Sequence, residues 1–125
     1  MAENTPNGKA VINLATGLED PERVTVAFLV GGAAAAQGRS VVMFLTKEAV
    51  RLGVAGTAEG VACDGCPPLA ALFQQYAEAG GQLFVCPICF KSRKLDDSTL
   101  VANARIAGAT PLWEWIGPGA SVFSY

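Results

Sequence analysis

The sequence predicts an α/β domain built on a mostly parallel sheet of about five strands, covered by helices on both faces as a three-layer α/β/α arrangement. Two observations carry this. Short apolar runs recur along the chain without polar alternation, the pattern of strands buried on both faces. Stretches with helix-start signals and helical spacing separate them, and such alternation of strand and helix is the signature of a parallel sheet.

The first run, Lys9 to Ala15, ends at Thr16-Gly17 and reads as a strand. Asp20-Pro21-Glu22 then supplies a capping oxygen, a proline preset for the first helical position and a carboxylate favoured at the positive end of the helix dipole. Glu19, Asp20 and Glu22 are therefore read as a helix start, not a carboxylate catalytic cluster. Val24, Ala27, Phe28 and Gly31 follow at helical spacing, and Gly38 should end the helix. Ser40 to Thr46 is the second buried strand, and Lys47 to Leu52 can form a short helix. Gly53 to Pro68 reads as a long loop, and loops of that length in compact domains are often functional. A helix from about Pro68 to Ala79 presents Leu69, Leu72, Phe73 and Tyr76 on one face and stops at Gly80-Gly81. Gln82 to Cys86 is the next strand. Beyond it the spacing of Leu100, Ala104 and Ala107 predicts a helix over 98–107. Two short strands, 109–116 and 121–125, are expected around Gly117-Pro118-Gly119, with Trp113 and Trp115 alternating on one strand face.

The chain has 125 residues, half of them hydrophobic (51%), and a net charge of −2. That suits one domain over 9–125, preceded by a disordered arm over 1–8. Without a basic stripe or a positive net charge, nucleic acid is not an expected partner. The N-terminus lacks the features of a secretory signal, and the most apolar stretch, Val24 to Ala36, falls short of the roughly 20 residues a bilayer span needs. A cytoplasmic, non-membrane protein is expected, whose thiols would be kept reduced.

The chemistry-bearing residues are the four cysteines, arranged as Cys63-Asp-Gly-Cys66 and Cys86-Pro-Ile-Cys89. Open α/β sheets carry their sites where strands end at the carboxyl side, and Cys86 stands at such an end. A thiolate there would be favoured by a helix N-terminus or by the cations that follow, Lys91, Arg93 and Lys94, although these also read as a solvated basic turn. Cys89 is placed to attack a disulfide or persulfide formed on Cys86, or else packs as a small apolar residue. If the loop at 53–68 lies on the same sheet edge, both pairs can meet there. Their spacing also fits a four-thiolate zinc site of Cys63, Cys66, Cys86 and Cys89, so a noncatalytic module with structural zinc is the alternative reading. Cys86-Pro-Ile-Cys89 is similar to the Cys-Pro-x-Cys of glutaredoxins, but it follows two βα units instead of the first strand, and Thr110-Pro111 does not restore the order of that fold. The chain has no histidine, and neither GxxxxGK[ST] nor GxGxxG occurs, so imidazole catalysis and a phosphate-binding loop are not expected.

In their order along the chain, the first strand with Leu18 to Val24, then Val42 to Leu52, Ala79 to Cys89 and Ile106 to Ala109 resemble the DsrE/DsrF-like proteins over nearly all of 9–125. The resemblance implies a flavodoxin-like fold and a homotrimer or homohexamer with sites near subunit boundaries. It also implies a sulfur-carrier role, possible sulfurtransferase activity in a sulfur relay, in which the cysteine corresponding to Cys86 takes up sulfane sulfur as a persulfide from a donor protein and passes it to an acceptor. No cofactor is implied. The Cys63/Cys66 pair, with a resolving or regulatory role, is where this sequence departs from the simplest relay subunits.

Overall fold

The computed structural model describes residues 8–125; apart from Gly8, the arm expected over 1–8 lies outside them. Five strands, β1 (Lys9–Leu14), β2 (Ser40–Leu45), β3 (Gln82–Val85), β4 (Ala104–Ile106) and β5 (Ser121–Ser124), form one sheet in the order β4-β3-β2-β1-β5. Every pairing is parallel. Four α-helices connect them: α1 (Pro21–Ala36), α2 (Leu69–Glu78), α3 (Pro87–Ser92) and α4 (Ala109–Ile116).

The strand order dictates the layers. From β1 to β4 each connection steps one strand in the same direction, so right-handed crossovers put α1, α2 and α3 on one face. The last connection steps back across the sheet to β5 and sends α4 to the other face. The core divides accordingly. Ile12, Leu14, Met43, Leu45, Leu83 and Val85 pack under α1 and α2 with Phe28, Leu69 and Tyr76, whereas Val42 and Phe84 meet Leu112 and Trp115 of α4 on the reverse side.

Local chemistry explains the first helix. The Asp20 side chain accepts from the Arg23 backbone N–H, Pro21 occupies the first turn, and Gly31 lets α1 settle on the sheet. A Cβ on Gly31 would stand 3.0 Å from Met43 Cε. Below α2, the Tyr76 ring fills the space that a side chain on Gly81 would need, and the Tyr76 hydroxyl donates to Gln82 O at 2.7 Å.

The short helix expected after β2 is present as a 3₁₀ helix over Lys47–Gly53, ended where Val54 turns back into extended backbone. Three expectations differ from the structure. A helix the sequence reading omitted, α3, begins at Pro87, where a missing N–H costs no hydrogen bond. The helix expected over 98–107 is instead a 3₁₀ turn at Asp97–Thr99 followed by β4, since Leu83 N–H bonds to Asn103 O and draws the chain onto the sheet edge. The strand expected over 109–116 is α4. Leu112, Trp115 and Ile116 recur at helical spacing, Leu112 and Trp115 against the sheet, while Trp113 points away, 71% exposed.

Candidate functional site

All five strands run the same way, so their carboxyl ends line one rim. At the reversal of strand order, between β1 and β5, the usual crevice position of such sheets is occupied by the chain itself: Thr16 Oγ1 donates to Tyr125 O at 3.3 Å and Tyr125 N to Asn13 O at 2.8 Å. The thiols stand two strands further along, at the end of β3.

Cys86 is where strand becomes helix. Its N–H donates to Leu45 O at 3.0 Å, which ties it to the end of β2, and its carbonyl accepts from Phe90 N at 3.0 Å, which opens α3. Cys86 is thus the N-cap of α3 and Cys89 its third residue, positions that share one side of the first turn. Both are free thiols, both half-buried, and both rest partly on the main core. Ile88 between them projects into solvent, 78% exposed. The Cys86 sulfur forms no capping hydrogen bond with α3.

The turn is braced from two sides. A Cβ on Gly108, before α4, would stand 3.3 Å from Pro87 Cδ, so the β4–α4 connection lies directly against the residue after Cys86. From the other side Arg93 Nε donates to Glu48 Oε2 at 2.7 Å and its terminal nitrogen to Cys89 O at 3.2 Å. Arg51 Nε donates to Glu48 Oε1 at 2.8 Å. Hydrogen bonds from Arg51, then Arg93, hold the Glu48 carboxyl below the usual carboxylate range. The same 3₁₀ segment touches the end of β1, where a Cβ on Gly17 would lie 2.5 Å from Glu48 O.

Of the three cations singled out in the sequence, Arg93 is therefore committed to Glu48 and to the helix backbone. Lys91 and Lys94 are exposed, and Lys91 borders a cleft of about 390 Å³ with Pro87, Phe90, Asp96 and Asp97. Among the described residues, no hydrogen bond or ion pair joins Lys91, Arg93 or Lys94 to the Cys86 sulfur. Glu48 is the contributor the sequence reading missed. Its pairing with Arg51 was legible at i,i+3, but its pairing with Arg93 spans 45 positions and depends on the fold.

The second pair has a different state and place. Cys63 and Cys66 are joined by a disulfide, with Cα atoms 5.3 Å apart, and Cys63 Sγ lies 3.8 Å from Thr25 Oγ1 on α1. The loop thus folds back on the helix that follows β1, while Cys86 follows β3. With β2 between them, those strands are two spacings apart, about 10 Å. Among the described residues no three His, Cys, Asp or Glu side chains gather as a metal site.

A thiol at the carboxyl rim of a parallel sheet, in an order of elements that matches from β1 to β5, agrees with a family match over residues 9–125. The chain belongs to the DsrE/DsrF-like family. Among curated proteins none matches the sequence. Two solved structures share the DsrE-like architecture. The YchN protein of E. coli superposes with a TM-score of 0.77 at 17% identity, covering 94% of this chain and 99% of that one. A conserved protein of unknown function from Bacteroides thetaiotaomicron gives 0.63 at 17% identity, covering 100% and 98%. At that identity the likeness establishes the three-layer, flavodoxin-like fold. Among the described residues no helix is long and apolar enough to cross a membrane.

Proposed function

We propose that this DsrE-like chain is a cytoplasmic sulfur-carrier subunit in which Cys86 holds sulfane sulfur as a persulfide. The observation that supports it is the placement of a free, half-buried thiol at the end of β3, with a second free thiol one helical turn further on. Uptake is an exchange: the Cys86 thiolate attacks the outer sulfur of a donor persulfide, the new S–S bond forms, and the donor leaves as a thiolate. The half-buried position shields the product while leaving room for an acceptor at the rim. When no acceptor arrives, Cys89 attacks the inner sulfur on Cys86, expels hydrosulfide and closes a Cys86–Cys89 disulfide. Lys91, Arg93 and Lys94 serve the site indirectly, Arg93 by holding α3 and the two lysines as a basic border for partner docking. No cofactor takes part.

Donor and acceptor proteins are the partners of this reading, and self-association is part of it. Trp113, Val122 and Phe123 are 71%, 59% and 48% exposed, apolar surface of a kind that subunit contacts cover in a homotrimer or homohexamer.

The test is mass spectrometry of intact protein after incubation with a sulfane-sulfur donor such as a polysulfide. The wild type should gain one sulfur on Cys86, Cys86→Ser should gain none, and Cys89→Ser should retain the added sulfur for longer. Labelling that survives Cys86→Ser removes the proposal. Metal analysis of the same reduced sample separates it from the four-thiolate zinc module, which requires close to one metal per chain.

A further inference from the structure

The Cys63–Cys66 disulfide has no part in the carrier cycle of Cys86, yet its surroundings are those of a working redox pair. Three features set it apart from a staple. The bridge closes only a four-residue turn, so it ties together no distant parts of the chain and removes little disorder from the unfolded state. The turn is held by its own backbone, since Cys66 N donates to Cys63 O at 3.1 Å and Gly65 takes the left-handed conformation at φ +77. That conformation favours glycine, and the closed, disulfide-bonded turn depends on it. Finally, both cysteines are half-buried while Asp64, Gly65, Pro67 and Pro68 around them are exposed, so an incoming thiolate has a path.

The geometry points to a second, self-contained dithiol/disulfide centre at Cys63 and Cys66, whose substrate class is an external dithiol. Cys63 is the sulfur packed against α1. Its Sγ lies 3.8 Å from Thr25 Oγ1, a van der Waals contact, since the hydroxyl gives its hydrogen to Pro21 O at 2.7 Å and a disulfide sulfur has none to give. That contact covers one side of Cys63, so attack falls on Cys66. One thiolate of the dithiol bonds to Cys66 Sγ, the Cys63–Cys66 bond breaks, and Cys63 leaves as a thiolate that takes a proton from solvent. The second thiol of the reductant then attacks its own sulfur in the mixed disulfide and releases Cys66. Two electrons and two protons pass from the dithiol to the protein, and the dithiol leaves as a disulfide. The couple closes within its own four-residue turn and uses neither Cys86 nor Cys89, so it does not rest on the persulfide reading.

The experiment equilibrates the folded protein in buffers of reduced and oxidised dithiothreitol, followed by alkylation and peptide mass spectrometry. The pair should titrate as one two-electron couple without denaturant, at a midpoint ratio unchanged within roughly twofold in the Cys86→Ser/Cys89→Ser variant. Gly65→Ala, which strains the closed turn, should move the ratio toward the dithiol by up to about tenfold. Reduction that requires denaturant overturns the proposal. So does an unshifted Gly65→Ala midpoint, or a midpoint that moves when Cys86 and Cys89 are replaced. Persulfide loading of Cys86 in a Cys63→Ser/Cys66→Ser variant reports on the carrier reading alone, so the two can fail separately.

Discussion

Arg93 Nε and Glu48 Oε2 stand 2.7 Å apart, and this contact ties the helix that starts at Cys86 to the segment following the neighbouring strand. Because Arg51 and Arg93 depress the Glu48 carboxyl, its ionised form is favoured by folding. A depressed folded-state value means the contribution is present above the ordinary carboxylate value of about 4.3 and is lost as pH falls through the lower, folded one. Protection of the α3 amides, measured relative to the intrinsic exchange rate at each pH, should therefore be unchanged between neutral pH and about pH 5 and should fall in more acidic solution. In Glu48→Gln the lower protection should already be present at neutral pH, and an unaltered protection profile in that variant would show that Glu48 does not brace α3.

Gly31 and Gly32 are adjacent in α1 but face different surroundings. A Cβ at Gly32 meets nothing within 4 Å, whereas one at Gly31 crowds Met43, Ile12 and Tyr76. Gly32→Ala should stabilise the protein by about 0.5–1 kcal/mol through lower unfolded-state entropy and better helix propensity. Gly31→Ala should be destabilising by about 1 kcal/mol or more. Urea denaturation of the two variants checks the sign of each.

Tyr76 is fully buried, and burial pushes its phenol well above the usual range, so the hydroxyl stays protonated and donates at all accessible pH. Tyr76→Phe should cost about 1 kcal/mol by removing the bond to Gln82 O. Gly81→Ala should cost more, about 2–3 kcal/mol, since the ring must be displaced. Thermal unfolding should rank the variants in that order, and equal effects would mean the Tyr76 ring can move aside freely.

The two tryptophans of α4 should behave differently. Trp115 lies against the sheet with Lys9 Nζ 5.0 Å from its ring centroid, and Lys9 also donates to the Trp115 carbonyl. Trp115→Ala should cost about 2 kcal/mol, less than the full value for a sealed core tryptophan. Trp113→Ala should stay within about 0.5 kcal/mol in the isolated chain and alter only self-association. Similar losses from both would return this segment to a strand.

The sequence by itself determined most of the sheet and both long helices. β2 and β3 are apolar runs buried from both sides and β1 is one interrupted only by the exposed Asn13, and α1 and α2 carry their own stop signals, with the start of α1 marked as well, so local chemistry and final environment agree. It also marked the two cysteine pairs and put Cys86 at a strand end, because a strand's last residue is legible wherever its apolar run stops. The tertiary structure decided the rest. Leu100, Ala104 and Ala107 have helical spacing, yet the backbone of 104–106 found partners on β3, and an edge of unpaired donors and acceptors outweighs a weak periodicity. Trp113 and Trp115 alternate like strand residues, but Leu112, Trp115 and Ile116 fit a helix, and only the return path from β4 to β5 leaves a face for that helix to cover. Whether the cysteine pairs converge could not be read from spacing at all. It depends on where the loop after 47–53 comes to rest, and there Cys63 lies against Thr25 of α1 while Cys86 stands at the end of β3 as the cap of α3.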